Sequence, residues 1–133
     1  MTGSGVDLVA QAKAAQARAY APYSGYTVGA ALEAEDGTVF TGCNVENASY
    51  SVTTCAERVA LYAAVAAGAR RFRRLVVSAT GKLPYPCGAC RQALSEFADR
   101  LPIAVVSEDG SRMDYDLAEL LPHPFILRGG KPA

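Results

Sequence analysis

Two short apolar runs, RLVVSAT at 74–80 and PIAVVSE at 102–108, constrain the fold of this chain most. Neither alternates polar and apolar residues, so each reads as a strand covered on both faces. Such a strand needs a layer of other elements above and below its sheet. The segment between them supplies one cover, because CGACRQALSEFADRL at 87–101 places Leu94, Phe97, Ala98 and Leu101 on one helical face.

The remaining punctuation extends this pattern in both directions. Residues 6–19 read as an Ala-rich helix with Val6, Val9 and Ala10 at helical spacing, broken by APYSG. YTVGAALE at 26–33 and TVFTGC at 38–43 are strands joined by AEDG, whose Asp36-Gly37 is a hairpin signal. NVENASYSV at 44–52 reads as a loop. A second helix follows, with Ala56, Val59, Ala60, Ala63, Ala64 and Ala67 on one stripe and Gly68 as its stop. After 102–108, DGSRMDY predicts a turn with an edge strand, and DLAELLP a last short helix. The order α-β-β-α-β-α-β-β-α predicts an α/β fold, a three-layer α-β-α sandwich around one mixed five-stranded sheet. At 133 residues, half of them apolar, residues 1–133 form one domain. A chain of this size buries roughly two thirds of its unfolded surface, so it folds without disulfides.

Charge narrows the functional classes. Thirteen Lys and Arg balance thirteen Asp and Glu, without the basic excess that neutralises phosphates. The basic run RRFRR at 70–74 reads as a solvated helix-to-strand junction. No apolar stretch approaches the ~20 residues that span a bilayer. The start MTGSGVDLVA carries neither a charged nor an apolar export region, which predicts a cytoplasmic protein with reduced thiols. Four cysteines in that setting point to metal or catalysis rather than bridges.

Three of the four sit at helix starts. Cys87 and Cys90 have the Cys-x-x-Cys spacing that lets two sulfurs reach one ion, and Cys55 opens the helix of TCAERVAL. The positive end of each helix favours thiolate over thiol, so two helices can present three thiolates to one point. Three ligands leave the fourth tetrahedral position open, as in catalytic rather than structural zinc. Three thiolates and Zn²⁺ sum to −1, which Arg58 offsets in part. Glu57 has two readings: the N3 acid of a capping box with Thr54, or a proton carrier beside the metal's water. The two roles are compatible. Cys43 lacks a Cys-x-x-Cys partner and reads as a buried thiol at a strand end; His123, between two prolines, reads as a surface residue.

CAE followed by PCGAC is the cysteine version of the zinc nucleobase-deaminase signature. PYSGYTVGAALE, FTGCNVENASYS, TCAERVAL and ELLPHPF resemble, in order, the landmarks of the small homotetrameric cytidine deaminases, from about residue 20 to 125. The resemblance implies that zinc is held by Cys55, Cys87 and Cys90, and that Glu57 shuttles protons while water replaces the C4 amine of cytidine or 2′-deoxycytidine, releasing ammonia. It further implies that Asn44 and Glu46 bind ribose, that the backbone at Ala56 holds the pyrimidine edge, and that Arg58 bonds the thiolates. Ala48 and Tyr50 match positions that reach a neighbouring subunit's site, and Phe125 an aromatic that covers a neighbour's base. Tyr26 departs from the family's usual Phe; it keeps a ring against the base but adds a hydroxyl that needs a partner. Glu46 on the sugar hydroxyls repels a 3′-phosphate, which favours a free nucleoside.

Four other readings compete. CGAC at a strand-loop-helix junction also fits a thioredoxin-like dithiol, which leaves CAE unexplained. A structural zinc module needs Cys43 as fourth ligand. Blasticidin S deaminases share CAE and PCGxC but resemble NVENASY less, whereas polynucleotide deaminases mostly use His at position 55 and need basic surface.

Overall fold

The structure, a computed structural model, describes residues 7–127. Its elements are α1 (Leu8–Gln16), β1 (Val28–Ala34), β2 (Val39–Cys43), a 3₁₀ turn (Tyr50–Val52), α2 (Ala56–Ala66), β3 (Phe72–Ala79), α3 (Gly88–Ser95), β4 (Pro102–Ser107), β5 (Arg112–Asp116) and α4 (Leu117–Leu120). The strands form one mixed sheet in the order β2-β1-β3-β4-β5, in which β3 and β4 are parallel and the other pairs antiparallel. The period of two along each strand divides the core between the faces. Ala30, Leu32, Leu75, Val77, Ile103 and Val105 pack with Ala60, Leu61 and Ala64 of α2 and Leu94 of α3. Ala31, Val76, Ala104 and Val106 pack with Leu8 and Ala12 of α1. The expected three layers are present.

Strand direction explains why two separate helices start at one edge of this sheet. β2 is antiparallel to β1, and β1 to β3, so β2 and β3 run the same way with β1 between them. The chain leaves both strands at the same end. The loop after β2 leads to α2 and the loop after β3 to α3, and that end carries the site.

Close approach of α2 to the sheet depends on a missing side chain. A Cβ at Gly42 would stand 2.5 Å from the Ala56 carbonyl oxygen and 2.5 Å from the Ala60 nitrogen, both backbone atoms that cannot turn aside. Gly29 stands in the same relation to α1 on the other face. Gly42→Ala is therefore expected to lower stability by about 2 kcal/mol or more, the range of overpacking. A urea midpoint equal to that of the wild type would show that α2 shifts without cost.

Several elements differ from their sequence reading. Val6 lies outside the described residues, and α1 buries Leu8, Ala12 and Ala15, with Val9 partly buried against the same core and Ala10 exposed. α2 turns Ala56, Glu57, Ala60, Leu61 and Ala64 inward, while Ala63 and Ala67 are exposed. α3 ends at Ser95, whose hydroxyl donates to the Gln92 carbonyl at 2.7 Å. The Glu96 N–H turns to Ala93. Phe97 leaves the helical path and meets Phe72 edge to face, with ring centroids 6.3 Å apart. The basic run is the exposed junction between α2 and β3 that its sequence suggests, with ion pairs added: Arg74 donates to the buried Glu33 at 2.8 Å, Arg73 lies 3.8 Å from the same carboxylate, and Arg71 pairs with Glu35. Among the described residues no helix is long and apolar enough to cross a membrane.

Candidate metal centre

Cys55 is the N-cap of α2 and Cys87 the N-cap of α3, so each sulfur stands at the positive end of its helix. Cys90, one turn into α3, is fully buried behind them. The sulfurs of Cys55 and Cys87 are 3.7 Å apart, those of Cys87 and Cys90 3.3 Å, and all three lie within 4.8 Å of one another. Tetrahedral zinc with bonds of ~2.3 Å separates its sulfurs by about 3.8 Å, so the trio fits that ion in number, chemistry and span. Three sulfurs converge rather than a dithiol. Cys43, at the end of β2, directs its thiol 3.5 Å away to the Arg18 carbonyl and lies outside the trio.

Charge in the trio is uneven. Hydrogen bonding from Cys90 first, and from Arg58 and Cys87 against the cost of burial, brings the Cys55 thiol down to about 5. The bond to the Cys55 sulfur, and then burial, push Cys90 up. The Arg58 guanidinium is 3.7 Å from the Cys55 sulfur, and this bond favours its charged form.

The capping-box reading of Glu57 is not what the structure holds. Thr54 donates its hydroxyl to the Val52 carbonyl at 3.2 Å, and Cys55 takes the cap position without a side-chain cap bond. The capping box of this fold joins Asp116 to Glu119 in α4. Glu57 instead is 4 % exposed and faces a cavity. Burial first, then the Cys55 charge, push its carboxyl up to about 7, against its own backbone N–H and Arg58. A buried carboxyl near neutrality is suited to taking and returning protons.

That cavity holds about 390 Å³ and is walled by Cys55, Ala56, Glu57 and Cys87 on the metal side. Tyr26, Val28 and Asn44 form a second wall, and Leu83, Pro84 and Tyr85 a third. Asn44 is nearly buried and fixes the start of β1: its Oδ1 accepts from the Val28 N–H at 2.9 Å and its Nδ2 donates to the Tyr26 carbonyl at 2.8 Å. One amide hydrogen and one lone pair remain for a ligand. Glu46 lines an adjoining cavity of about 290 Å³ with Tyr23, Ser24, Asn47 and Tyr50, and Thr53 is common to both. Its Oε1 accepts from the N–H groups of Tyr23 and Ser24 at 2.9 and 3.1 Å, and its Oε2 from the Ser24 hydroxyl. The Ser24 hydroxyl is the main cause that holds this carboxyl below its ordinary range.

The sequence-derived residues are thus not all together. Cys55, Cys87, Glu57, Ala56, Tyr26 and Asn44 meet around one cavity, with Cys90 buried behind the first two; Glu46 and Tyr50 line the next one. Ala48 is exposed on the loop before the 3₁₀ turn, and Phe125, 69 % exposed, lies away from both. Leu83, Pro84, Tyr85 and Ser24 were not foreseen; the Leu-Pro-Tyr-Pro run before Cys87 was the available signal. The added Tyr26 hydroxyl finds its partner, donating to the Lys82 carbonyl at 3.3 Å. Tyr26→Phe is expected to lower stability by about 0.5–1 kcal/mol and to speed amide exchange over 81–86. Unchanged exchange there would show that the bond restrains nothing.

Comparison with known proteins gives first the class. A family model described as the cytidine and deoxycytidylate deaminase zinc-binding region matches residues 5–105. A cytidine deaminase of Sporosarcina psychrophila is 48 % identical over 120 residues, 89 % of this chain and 88 % of that protein. The crystal structure of cytidine deaminase from Burkholderia pseudomallei superposes with a TM-score of 0.87 at 44 % identity, covering 92 % of this chain and 99 % of the other. That of Mycobacterium tuberculosis superposes with a TM-score of 0.77 at 41 % identity over 90 % and 95 %. The chain belongs to the cytidine deaminase family.

Proposed function

We propose that this protein deaminates cytidine and 2′-deoxycytidine to uridine and 2′-deoxyuridine, with water consumed and ammonia released. The observation that carries the reading is the buried Glu57 at the wall of one cavity, which it shares with Cys55 and Cys87 of the three convergent sulfurs. Zn²⁺ held by Cys55, Cys87 and Cys90 would supply Lewis-acid activation of a water. Glu57 would accept one proton from that water and deliver it to N3 of the pyrimidine, then take the second proton from the hydroxyl that has become bonded to C4 and pass it to the amine as it leaves. Arg58 holds the Cys55 sulfur and offsets the net negative charge of three thiolates. The ring of Tyr26 lies against the base, and the backbone at Ala56 meets the pyrimidine edge. Asn44 and Glu46 take the sugar hydroxyls, the first with its unspent amide hydrogen and lone pair.

The whole chain acts as one catalytic domain, in the cytoplasm, as a homotetramer whose neighbours complete each site. Ala48 and Tyr50 reach the adjacent subunit, and Phe125 covers the base bound by a neighbour. The exposure of Tyr50 (81 %) and Phe125 (69 %) is compatible with this arrangement, since both side chains are accessible to a neighbouring subunit.

The reading is tested by incubating purified protein with cytidine and following ammonia, with and without a zinc chelator. Chelator-sensitive release is expected; a zinc-replete protein that releases none overturns the proposal. Cytidine 3′-phosphate is expected to react at least ~10-fold less efficiently, because Glu46 places a like charge near the phosphate. Equal efficiency would remove Glu46 from the sugar.

A further inference from the structure

We infer that Gln92 is a positioning residue that holds the backbone of Phe125 so that its ring projects toward a second copy of the chain. The inference rests on the role proposed above for Phe125. It starts from the backbone after α4. Pro122 and Pro124 remove two N–H donors and disfavour a helix, and the last backbone bond of α4 runs from the Leu121 N–H to the Leu117 carbonyl at 2.9 Å. Among the described residues the segment that follows makes no ladder of its own, and Gln92 provides a substitute. Its Nε2 donates to the Phe125 carbonyl at 2.9 Å, and its Oε1 accepts from the Phe125 N–H at 3.1 Å. A planar amide that meets both groups of one peptide residue copies a rung of a β-ladder. It sets the direction of the chain as well as its position.

The adjoining residue reinforces the attachment. Arg91 donates from Nη1 to the Leu120 carbonyl at 2.9 Å and from Nε to the Pro86 carbonyl at 2.7 Å. The two residues after Cys90 therefore tie the C-terminal stretch to the helix that carries two of the three sulfurs. The Phe125 ring nevertheless stays 69 % exposed and lines neither cavity of its own chain. Its backbone is anchored at two points while its apolar side chain projects outward. That arrangement presents a ring to another molecule rather than to its own core.

Zinc-loaded Gln92→Ala, Gln92→Glu, Phe125→Ala and Gln92→Ala/Phe125→Ala enzymes test the inference. Gln92→Glu keeps the length and the acceptor but sets a carboxylate oxygen against the Phe125 carbonyl. Exchange of the Phe125 amide, followed by NMR, is expected to rise at least ~10-fold in Gln92→Ala. Both Gln92 variants are expected to raise the KM for cytidine roughly 5-fold with kcat within about 2-fold, and the double variant to match Phe125→Ala, because the two residues act as one unit. Zinc content should stay at that of the wild type. Retained protection of the Phe125 amide in Gln92→Ala overturns the inference, as does an unchanged KM in a background where Phe125→Ala raises it. A Phe125→Ala enzyme with wild-type KM overturns the role of Phe125 instead, and the exchange rates still decide whether Gln92 holds the segment.

Discussion

Glu57→Gln is expected to lower kcat for cytidine at least ~10²-fold while zinc content and fold are retained. Gln matches Glu in shape, so the tightly packed first turn of α2 keeps its contacts, and a neutral amide is easier to bury than a carboxylate. The amide has no proton to exchange at neutral pH, so transfer to N3 and to the leaving amine stops. If Glu57 were present for packing or capping, the exchange would be nearly silent or stabilising. Packing is a weak account of a charged residue that is 4 % exposed, because burial itself opposes its ionised form. The capping box is excluded by geometry, since the N-cap is Cys55 and Thr54 bonds back to Val52. Metal analysis and steady-state rates on one preparation check the prediction. Turnover within about 3-fold of wild type with full zinc would remove Glu57 from the chemistry.

The fold was legible where local chemistry and periodicity agreed. The Asp36-Gly37 hairpin, the buried β3 and β4 and the helix between them all appear where apolar runs and turn residues put them. Orientation was less legible. α2 contains five alanines among eleven residues, and so many small apolar side chains give several faces nearly equal hydrophobicity. Its inward face includes Glu57, where a pattern of apolar residues has no place for a charge. The basic run is exposed at the junction of α2 and β3, as its sequence suggests, but its ion pairs were not legible. Arg74 looks solvated in a stretch of four arginines, but its partner Glu33 is 41 residues away and becomes a neighbour only through the pairing of β1 with β3. Of the site, the sulfur trio was visible because cysteine spacing and helix starts carry metal chemistry in themselves. The Leu83–Tyr85 wall, the buttress of Ser24 under Glu46 and the Gln92 clamp were not visible. Each depends on a contact between segments that only the folded sheet brings together.

Removal of a single sulfur from the trio is expected to have the largest effect of any change in this protein. Cys90→Ala leaves Cys55 and Cys87 as the remaining sulfurs of the site, and two ligands hold zinc far more weakly than three. Zinc below ~0.1 equivalents after dialysis, and a loss of activity of at least ~10³-fold, are expected, since thiolate coordination supplies apparent binding energies on the order of 10 kcal/mol. The side chain is fully buried, so the substitution also leaves a small cavity and lowers apo stability by about 1 kcal/mol. Cys43→Ala is the control that gives the result its meaning. Its thiol lies at the end of β2 and bonds the Arg18 carbonyl, outside the group of three. If the site has an open fourth position, Cys43→Ala keeps both zinc and turnover. If Cys43→Ala loses zinc as Cys90→Ala does, then four thiolates close the coordination sphere. A closed sphere has no place for a water, and hydrolytic chemistry at this centre would then be ruled out.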